Sequence, residues 1–229
     1  MTNETHKSYT NADLGRAYRD TRERVTALIR ELPDHELKTV VPACPAWSVR
    51  DVVGHLAAVA EDMVSRRLTR PPNEAETAAQ VERMRDRSVP QLLADWEKAA
   101  ASSIEAGLVS TIRISVIDVT SHEHDLRSAL SRPGARDSEA VRLVSEMLME
   151  TLRPPVPLRV VMEDAEFHVG PEAEDGQELV LTTSRFEAVR WRMGRRSAAQ
   201  LAAMQWSADP AAVLGKLMVF GPAEDDVIE

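Results

Sequence analysis

The sequence predicts a mainly α-helical protein with a smaller α+β domain at its C-terminal end. Aromatic residues make up only 4% of the 229 residues, and Ala, Leu, Val, Arg and Glu dominate, as in helices that pack through small and aliphatic side chains. Three prolines in Arg153-Pro154-Pro155-Val156-Pro157 forbid both a helix interior and a central strand. Beyond them the hydrophobic pattern changes. We therefore expect a helical domain over residues 1–153 and a small α+β domain over residues 154–229.

Charge and cysteine content restrict the function. The net charge of -9 argues against a protein that coats nucleic acid or anionic membrane, because both need a basic surface. No apolar run approaches the ~20 residues of a membrane span, and the first residues are polar, so we expect a cytoplasmic protein. Cys44 is the only cysteine, so no cysteine-rich zinc module is possible and we expect histidine and carboxylate side chains as the metal ligands. Both a monomer and a homodimer remain open.

The helical domain begins with apolar residues spaced by three and four, which predict a helix from Asn11 to Leu32. A segment with two prolines follows, and then Ser48 and Asp51 form the pattern of a capping box that begins a helix ending near Arg67. Further helices are expected over residues 75–87, 91–106, 110–130 and 139–152. The β-branched residues 112–117 also fit a strand, but the length of the apolar segment favours a helix.

The C-terminal domain combines short strands with helices. Strands are expected over residues 158–163, 165–169 and 178–183, where β-branched and apolar residues alternate with polar ones. Ser184 caps the helix that follows, and a second helix is expected over residues 197–204. Asp209-Pro210 has the pattern of an N-cap followed by proline at the first helical position, which predicts a last helix to about Phe220.

Residues 118–122 provide the most informative spacing in the chain. Asp118 and His122 are four residues apart on the most apolar predicted helix, so they share one face. His55 lies on the apolar face of another helix and is the best third donor. The hypothesis is a site of two histidines and one carboxylate between two helices. By spacing alone, a hydrogen-bonded core histidine and an ordinary Asp–His ion pair remain open. Asp125 shares the face of His122 and is suited to orient a ligand or bind the substrate.

Three segments together resemble one known family. They are Cys44–Leu56, Asp118–Arg127, and Phe186–Ser197 with the downstream Trp206 and Asp209-Pro210. These segments are similar to motifs of the mycothiol-dependent maleylpyruvate isomerase family, which belongs to the DinB-like metal-binding four-helix bundles. The resemblance implies a DinB-like four-helix bundle, followed by a C-terminal domain of about three strands and two to three helices.

The resemblance also implies roles for individual residues. The metal-ligand positions of the family fall on His55, Asp118 and His122, with zinc as the usual divalent metal. Some members carry Glu where Asp118 stands, so the shorter side chain can alter the metal distance. The basic residue of the C-terminal motif falls on Arg195, which is expected to reach the site of the bundle and bind anionic substrate, with Asp125 as a second catalytic residue. Beyond what the resemblance implies, Arg127 and Arg196 are the candidates for binding the cofactor. A solvated helix end remains the alternative for Arg195 and Arg196.

The expected chemistry uses a small thiol in place of a protein nucleophile. Cys44 and Trp47 lie in the first motif, and we assign both mainly to structure. Mycothiol would supply the reactive sulfur at the metal, either for cis–trans isomerisation of a small electrophile or for S-transfer to it. Two alternatives use the same residues: a non-catalytic metal-binding or ligand-binding regulatory protein, and an iron oxygenase, which usually has another fold.

Overall fold

The computed structural model describes residues 9–173 and 176–229. The α-helices are α1 (Asn11–Ile29), α2 (Asp34–Leu37), α3 (Val49–Val64), α4 (Glu74–Arg83), α5 (Val89–Ala101), α6 (Ile112–Ala129), α7 (Glu139–Glu150), α8 (Arg185–Arg192) and α9 (Ala198–Ala202). The β-strands are β1 (Val40–Val41), β2 (Cys44–Ser48), β3 (Leu158–Val161), β4 (Glu166–Val169), β5 (Leu179–Thr182) and β6 (Gln205–Trp206). The predicted fold class is therefore confirmed. Among these helices, none combines the length and the apolar character needed to cross a membrane.

Contacts divide the chain into a helical unit, Met1–Arg132, and an α+β unit, Pro133–Glu229. Helix α7 belongs to the second unit because it packs against α8. The sequence instead predicts the boundary at residue 153, next to the prolines that separate α7 from β3. Compact packing and proline content thus mark different positions, and the boundary at residue 153 stays a prediction.

Four helices form the core of the helical unit. Helix α1 packs against α6, α3 packs against α5, and α3 also contacts α6, which completes the four-helix bundle. The fully buried side chains of this bundle include Val25, Ile29, Val52, Val53, Leu92, Trp96, Val116 and Val119. The indole N–H of Trp96 donates a hydrogen bond of 2.7 Å to the hydroxyl of Tyr18, so the largest core ring carries no unsatisfied donor.

Helix α3 begins with the predicted capping box. The backbone N–H of Asp51 donates to the side chain of Ser48, and the Asp51 carboxylate accepts from the Ser48 backbone. The helix is preceded by β1 and β2, which pair antiparallel. The cap fixes the register of the first turn, and His55 consequently lies on the buried face, at 2% exposure.

Asp62 joins α3 to the segment that follows it. Its Oδ1 accepts hydrogen bonds from Arg67 at 2.8 Å and Arg83 at 2.9 Å, and its Oδ2 accepts from the Gln80 amide at 2.9 Å. Burial alone raises the pKa of Asp62, but the hydrogen bonds from Gln80, Arg67 and Arg83 outweigh it and hold the pKa below its ordinary value of 3.8. The carboxylate therefore stabilises the fold while it stays ionised.

Replacing Asp62 by Asn is expected to weaken the pH dependence of stability in acid. The pKa is lower in the folded chain, so the contribution of Asp62 is present above the unfolded-state value of 3.8 and is lost as the pH falls through the folded-state value. Urea unfolding at pH 6 and pH 3 measures the difference. If the free energy of unfolding fell by the same amount from pH 6 to pH 3 in wild type and in Asp62→Asn, the lowered pKa of Asp62 would be contradicted.

Helix α6 is continuous over the segment that also fitted a strand, and its residues 119–126 are all buried. The carboxylate of Glu123 has no exposed side-chain surface. Arg24 of α1 donates to both of its oxygens, at 2.8 and 2.7 Å, and Arg127 donates to Oε1 at 3.1 and 2.9 Å. Two guanidinium groups therefore compensate one buried charge.

The α+β unit contains a four-stranded sheet in the order β4-β3-β5-β6. Strand β3 pairs antiparallel with β4 and parallel with β5, and β5 pairs antiparallel with β6. Leu158, Val160 and Leu181 are fully buried on the sheet. The three predicted strands are confirmed, whereas the short β6 was not predicted.

The predicted last helix is wrong. The segment after Asp209 has only a short 3₁₀ turn, Leu214–Lys216. Its backbone groups bond to Arg192 instead of forming a helical ladder: the Arg192 guanidinium donates to the Leu217 carbonyl, and the Val219 N–H donates to the Arg192 carbonyl, both at 2.8 Å. A tertiary contact therefore overrides the local N-cap pattern.

Candidate metal centre

Helices α3 and α6 bring together the three residues that the sequence proposed as ligands. Nε2 of His55 lies 3.5 Å from Oδ1 of Asp118, and Nε2 of His122 lies 3.6 Å from the same oxygen. The two imidazole rings meet edge to face, with centroids 5.1 Å apart. A cluster of one carboxylate and two histidines is thus present within the helical unit.

The separations between these donor atoms fit a metal ion. Zinc bound to nitrogen and oxygen at about 2.0–2.2 Å in a tetrahedron places its ligand atoms roughly 3.3–3.6 Å apart. The observed 3.5 and 3.6 Å agree with that spacing and exceed the length of a normal hydrogen bond. The side chains of His55 and His122 are 2% and 7% exposed, whereas that of Asp118 is 23% exposed. The cluster is therefore reachable on the side of Asp118.

The second ring nitrogen of His122 faces another carboxylate. Its Nδ1 lies 3.0 Å from Oδ2 of Asp125, whose side chain is fully buried. Within the described residues Nδ1 has no partner that meets hydrogen-bond geometry, so the contact is an ion pair without good alignment. Asp125 thus lies behind the imidazole while Nε2 faces Asp118, which is the position that a carboxylate behind a metal-binding histidine usually takes.

The electrostatics of the cluster favour a cation. Burial alone lowers the pKa of His122, but Asp125, Cys44 and Asp118 outweigh it and raise the pKa from 6.5 to about 10. In the metal-free protein a proton on His122 compensates the neighbouring carboxylates. A divalent metal carries more positive charge to the same place and competes with that proton.

The metal-free protein is expected to lose stability as the pH rises from about 6.5 to about 10. The His122 pKa is raised in the folded chain, so its contribution is complete below 6.5 and disappears as the pH passes about 10. Denaturant unfolding in the presence of a chelator measures this decline, and His122→Gln should reduce it. An unchanged slope in the variant would contradict the assignment.

One aromatic side chain and one thiol of the β1–β2 segment lie beside the cluster. The ring centroid of Trp47 lies 4.9 Å from the ring centroid of His55 and 6.1 Å from that of His122. The half-buried thiol of Cys44 lies 4.0 Å from Oδ2 of Asp125. From the sequence we predicted mainly structural roles for both residues, and their position beside the proposed ligands was missed. Their membership in the first motif with His55 was the only available signal.

The three arginines proposed as binding groups all have partners. Arg127 pairs with Glu123 on the helical unit. In the α+β unit Arg196 is buried and pairs with Glu187 and Glu229, and the half-buried Arg195 donates to the Met193 carbonyl at 2.7 Å. The contacts of Arg127 and Arg196 are those of structural ion pairs. A cofactor would have to displace a carboxylate to bind either guanidinium.

Comparison with known proteins identifies a family and a similar fold. The family model described as "Mycothiol maleylpyruvate isomerase N-terminal domain" matches residues 18–152. The fold is similar to the crystal structure of the mycothiol-dependent maleylpyruvate isomerase, with a TM-score of 0.60 and 12% identity over 88% of this chain and 94% of that chain. A mutant of that enzyme gives the same values. No match was found among curated protein sequences.

Proposed function

This chain belongs to the mycothiol maleylpyruvate isomerase N-terminal domain family, and from that premise we propose that it is a mycothiol-dependent metalloenzyme. It would act on a small electrophile, either by cis–trans isomerisation or by S-transfer. The observation that carries the proposal is the position of one Asp118 oxygen 3.5 and 3.6 Å from Nε2 of two histidines on different helices.

His55, Asp118 and His122 would hold the divalent metal, and zinc is the proposed ion because it is commonly bound by histidine and carboxylate donors. When bound, such a metal favours the thiolate form of a coordinated thiol near neutral pH. Asp125 would keep the His122 ring in position through its contact with Nδ1. Trp47 would cover one side of His55 and limit the access of water.

Residues of the α+β unit complete the proposal. The resemblance of Gly194-Arg195 to the C-terminal motif of the family supports Arg195 as the cation that binds an anionic group of the substrate. The ion pairs of Arg127 and Arg196 support structural roles for these residues, with cofactor binding as their proposed secondary role. The proposed location is the cytoplasm, where small thiols are kept reduced.

A mass-spectrometric assay tests the function. The purified chain is incubated with Zn²⁺, mycothiol and a panel of small electrophiles, including a cis-unsaturated diacid. We expect a metal-dependent mycothiol thioether or a cis–trans conversion above the rate without protein. If the protein binds metal but accelerates neither reaction, the proposed activity is contradicted and a non-catalytic binding protein is favoured. Bound iron in place of zinc would favour the oxygenase alternative.

A further inference from the structure

The imidazole of His122 has metal-binding groups at both of its ring nitrogens. Nε2 faces Asp118 and His55, as described above. On the other side Nδ1 lies 3.0 Å from Oδ2 of Asp125, and the Sγ atom of Cys44 lies 4.0 Å from the same oxygen. The donor atoms of Cys44, His122 and Asp125 all lie within 4.8 Å of one another. A second ligand set thus surrounds the same histidine.

The spacing of the second set is close to that of a metal site. Bond lengths of about 2.0–2.2 Å to nitrogen or oxygen and about 2.3 Å to sulfur separate tetrahedral ligand atoms by roughly 3.3–3.7 Å. The observed 3.0 and 4.0 Å bracket this range, so we expect side-chain rotation to suffice to bring all three donors to one ion.

Burial indicates that this position is built for a ligand. The side chain of His122 is buried, and within the described part of the chain its Nδ1 has no partner that meets hydrogen-bond geometry. Asp125 is fully buried beside it, whereas Cys44 is half-buried and leaves an approach from solvent. The second set also differs chemically from the first, because a thiol offers the soft donor that thiophilic ions prefer.

We propose that Cys44, Asp125 and Nδ1 of His122 form a second site for a thiophilic divalent cation of the zinc and cadmium class. A neutral imidazole has one nitrogen lone pair available, so the second site and the His55–Asp118–His122 site are alternatives at each His122. This site needs neither mycothiol nor catalysis. A thiophilic ion bound there takes His122 away from the first site.

Cadmium is a direct probe of the second site. Reduced, metal-free protein is titrated with Cd²⁺ while the ultraviolet thiolate-to-cadmium charge-transfer band is followed. Cys44 is the only cysteine, so the band reports this thiol alone. We expect the band to saturate at one ion per chain in the wild type and in His55→Ala, which keeps the second ligand set. In His122→Ala and Asp125→Asn the affinity should fall at least tenfold.

Three outcomes would overturn the proposal. The first is no band in either wild type or His55→Ala. The second is an unchanged affinity in His122→Ala and Asp125→Asn, which would mean that the thiol binds cadmium by itself. The third is saturation at half an equivalent, which would mean that thiols of two chains share one ion.

A second measurement does not depend on the band. In the His55→Ala background, Zn²⁺ affinity is measured by competition with a chelating dye, with and without Cys44→Ser. Cys44 is half-buried, so its replacement by serine should preserve the fold, which circular dichroism verifies. The added substitution should weaken zinc binding at least tenfold. Equal affinities would exclude Cys44 as a ligand.

Discussion

Replacing His122 by alanine is expected to lower the zinc affinity of the chain at least about a hundredfold and to remove metal-dependent formation of mycothiol adducts. Loss of a partner behind a metal-binding histidine costs about 10–100-fold in affinity, so loss of the histidine itself should cost at least the upper value. His122 is also the one residue shared by both donor clusters. Zinc competition with a dye and mass spectrometry of the adducts measure the two effects.

His168→Ala is the matched control, because this histidine is on the exposed surface of β4 and pairs with Glu178. It should bind zinc as the wild type does. His55→Ala should impair zinc binding at the first site while it keeps the second donor set. Wild-type zinc affinity in both His55→Ala and His122→Ala would contradict the proposed metal centre.

Replacing Glu123 by alanine is expected to lower the free energy of unfolding by about 3 kcal/mol. Removing one partner of a buried ion pair leaves an uncompensated charge and typically costs about 3–5 kcal/mol. The lower end applies because the side chains of Arg24 and Arg127, at 29% and 16% exposure, retain some contact with water. Urea unfolding at neutral pH measures the change.

Glu97→Ala on α5 is the control for this prediction, because Glu97 is exposed and its loss should change stability by less than about 0.5 kcal/mol. Glu123→Gln should have an intermediate effect, since the amide oxygen can still accept one guanidinium hydrogen bond. If Glu123→Ala were as stable as Glu97→Ala, the two arginines would not depend on the carboxylate in the way that the contacts indicate.

Local chemistry made most of the helical unit predictable. The Ser48–Asp51 cap placed the start of α3, and the spacing of apolar residues placed His55 on its buried face. The four-residue interval between Asp118 and His122 then indicated a shared helix face, because helical geometry fixes the direction of each side chain. These features depend on short stretches of sequence, so they could be inferred without knowledge of the tertiary packing.

The remaining features depend on contacts between distant residues. Cys44 comes close to Asp125 only because the β1–β2 segment folds beside α6, and the two prolines in that segment gave no sign of pairing. In the α+β unit, Arg192 holds the backbone of residues 217 and 219 and prevents the helix that Asp209-Pro210 suggested. Such contacts have no periodic pattern in the sequence.

The adjacency of His122 and Glu123 has a mechanical consequence for the candidate metal centre. Consecutive residues of a helix point about 100° apart, so His122 turns toward α3 while Glu123 is held by Arg24 of α1. The bidentate contact to Arg24 therefore fixes the rotation of α6 about its own axis. The orientation of His122 therefore depends on an adjacent residue on another face of the helix, which lies outside the proposed ligand set.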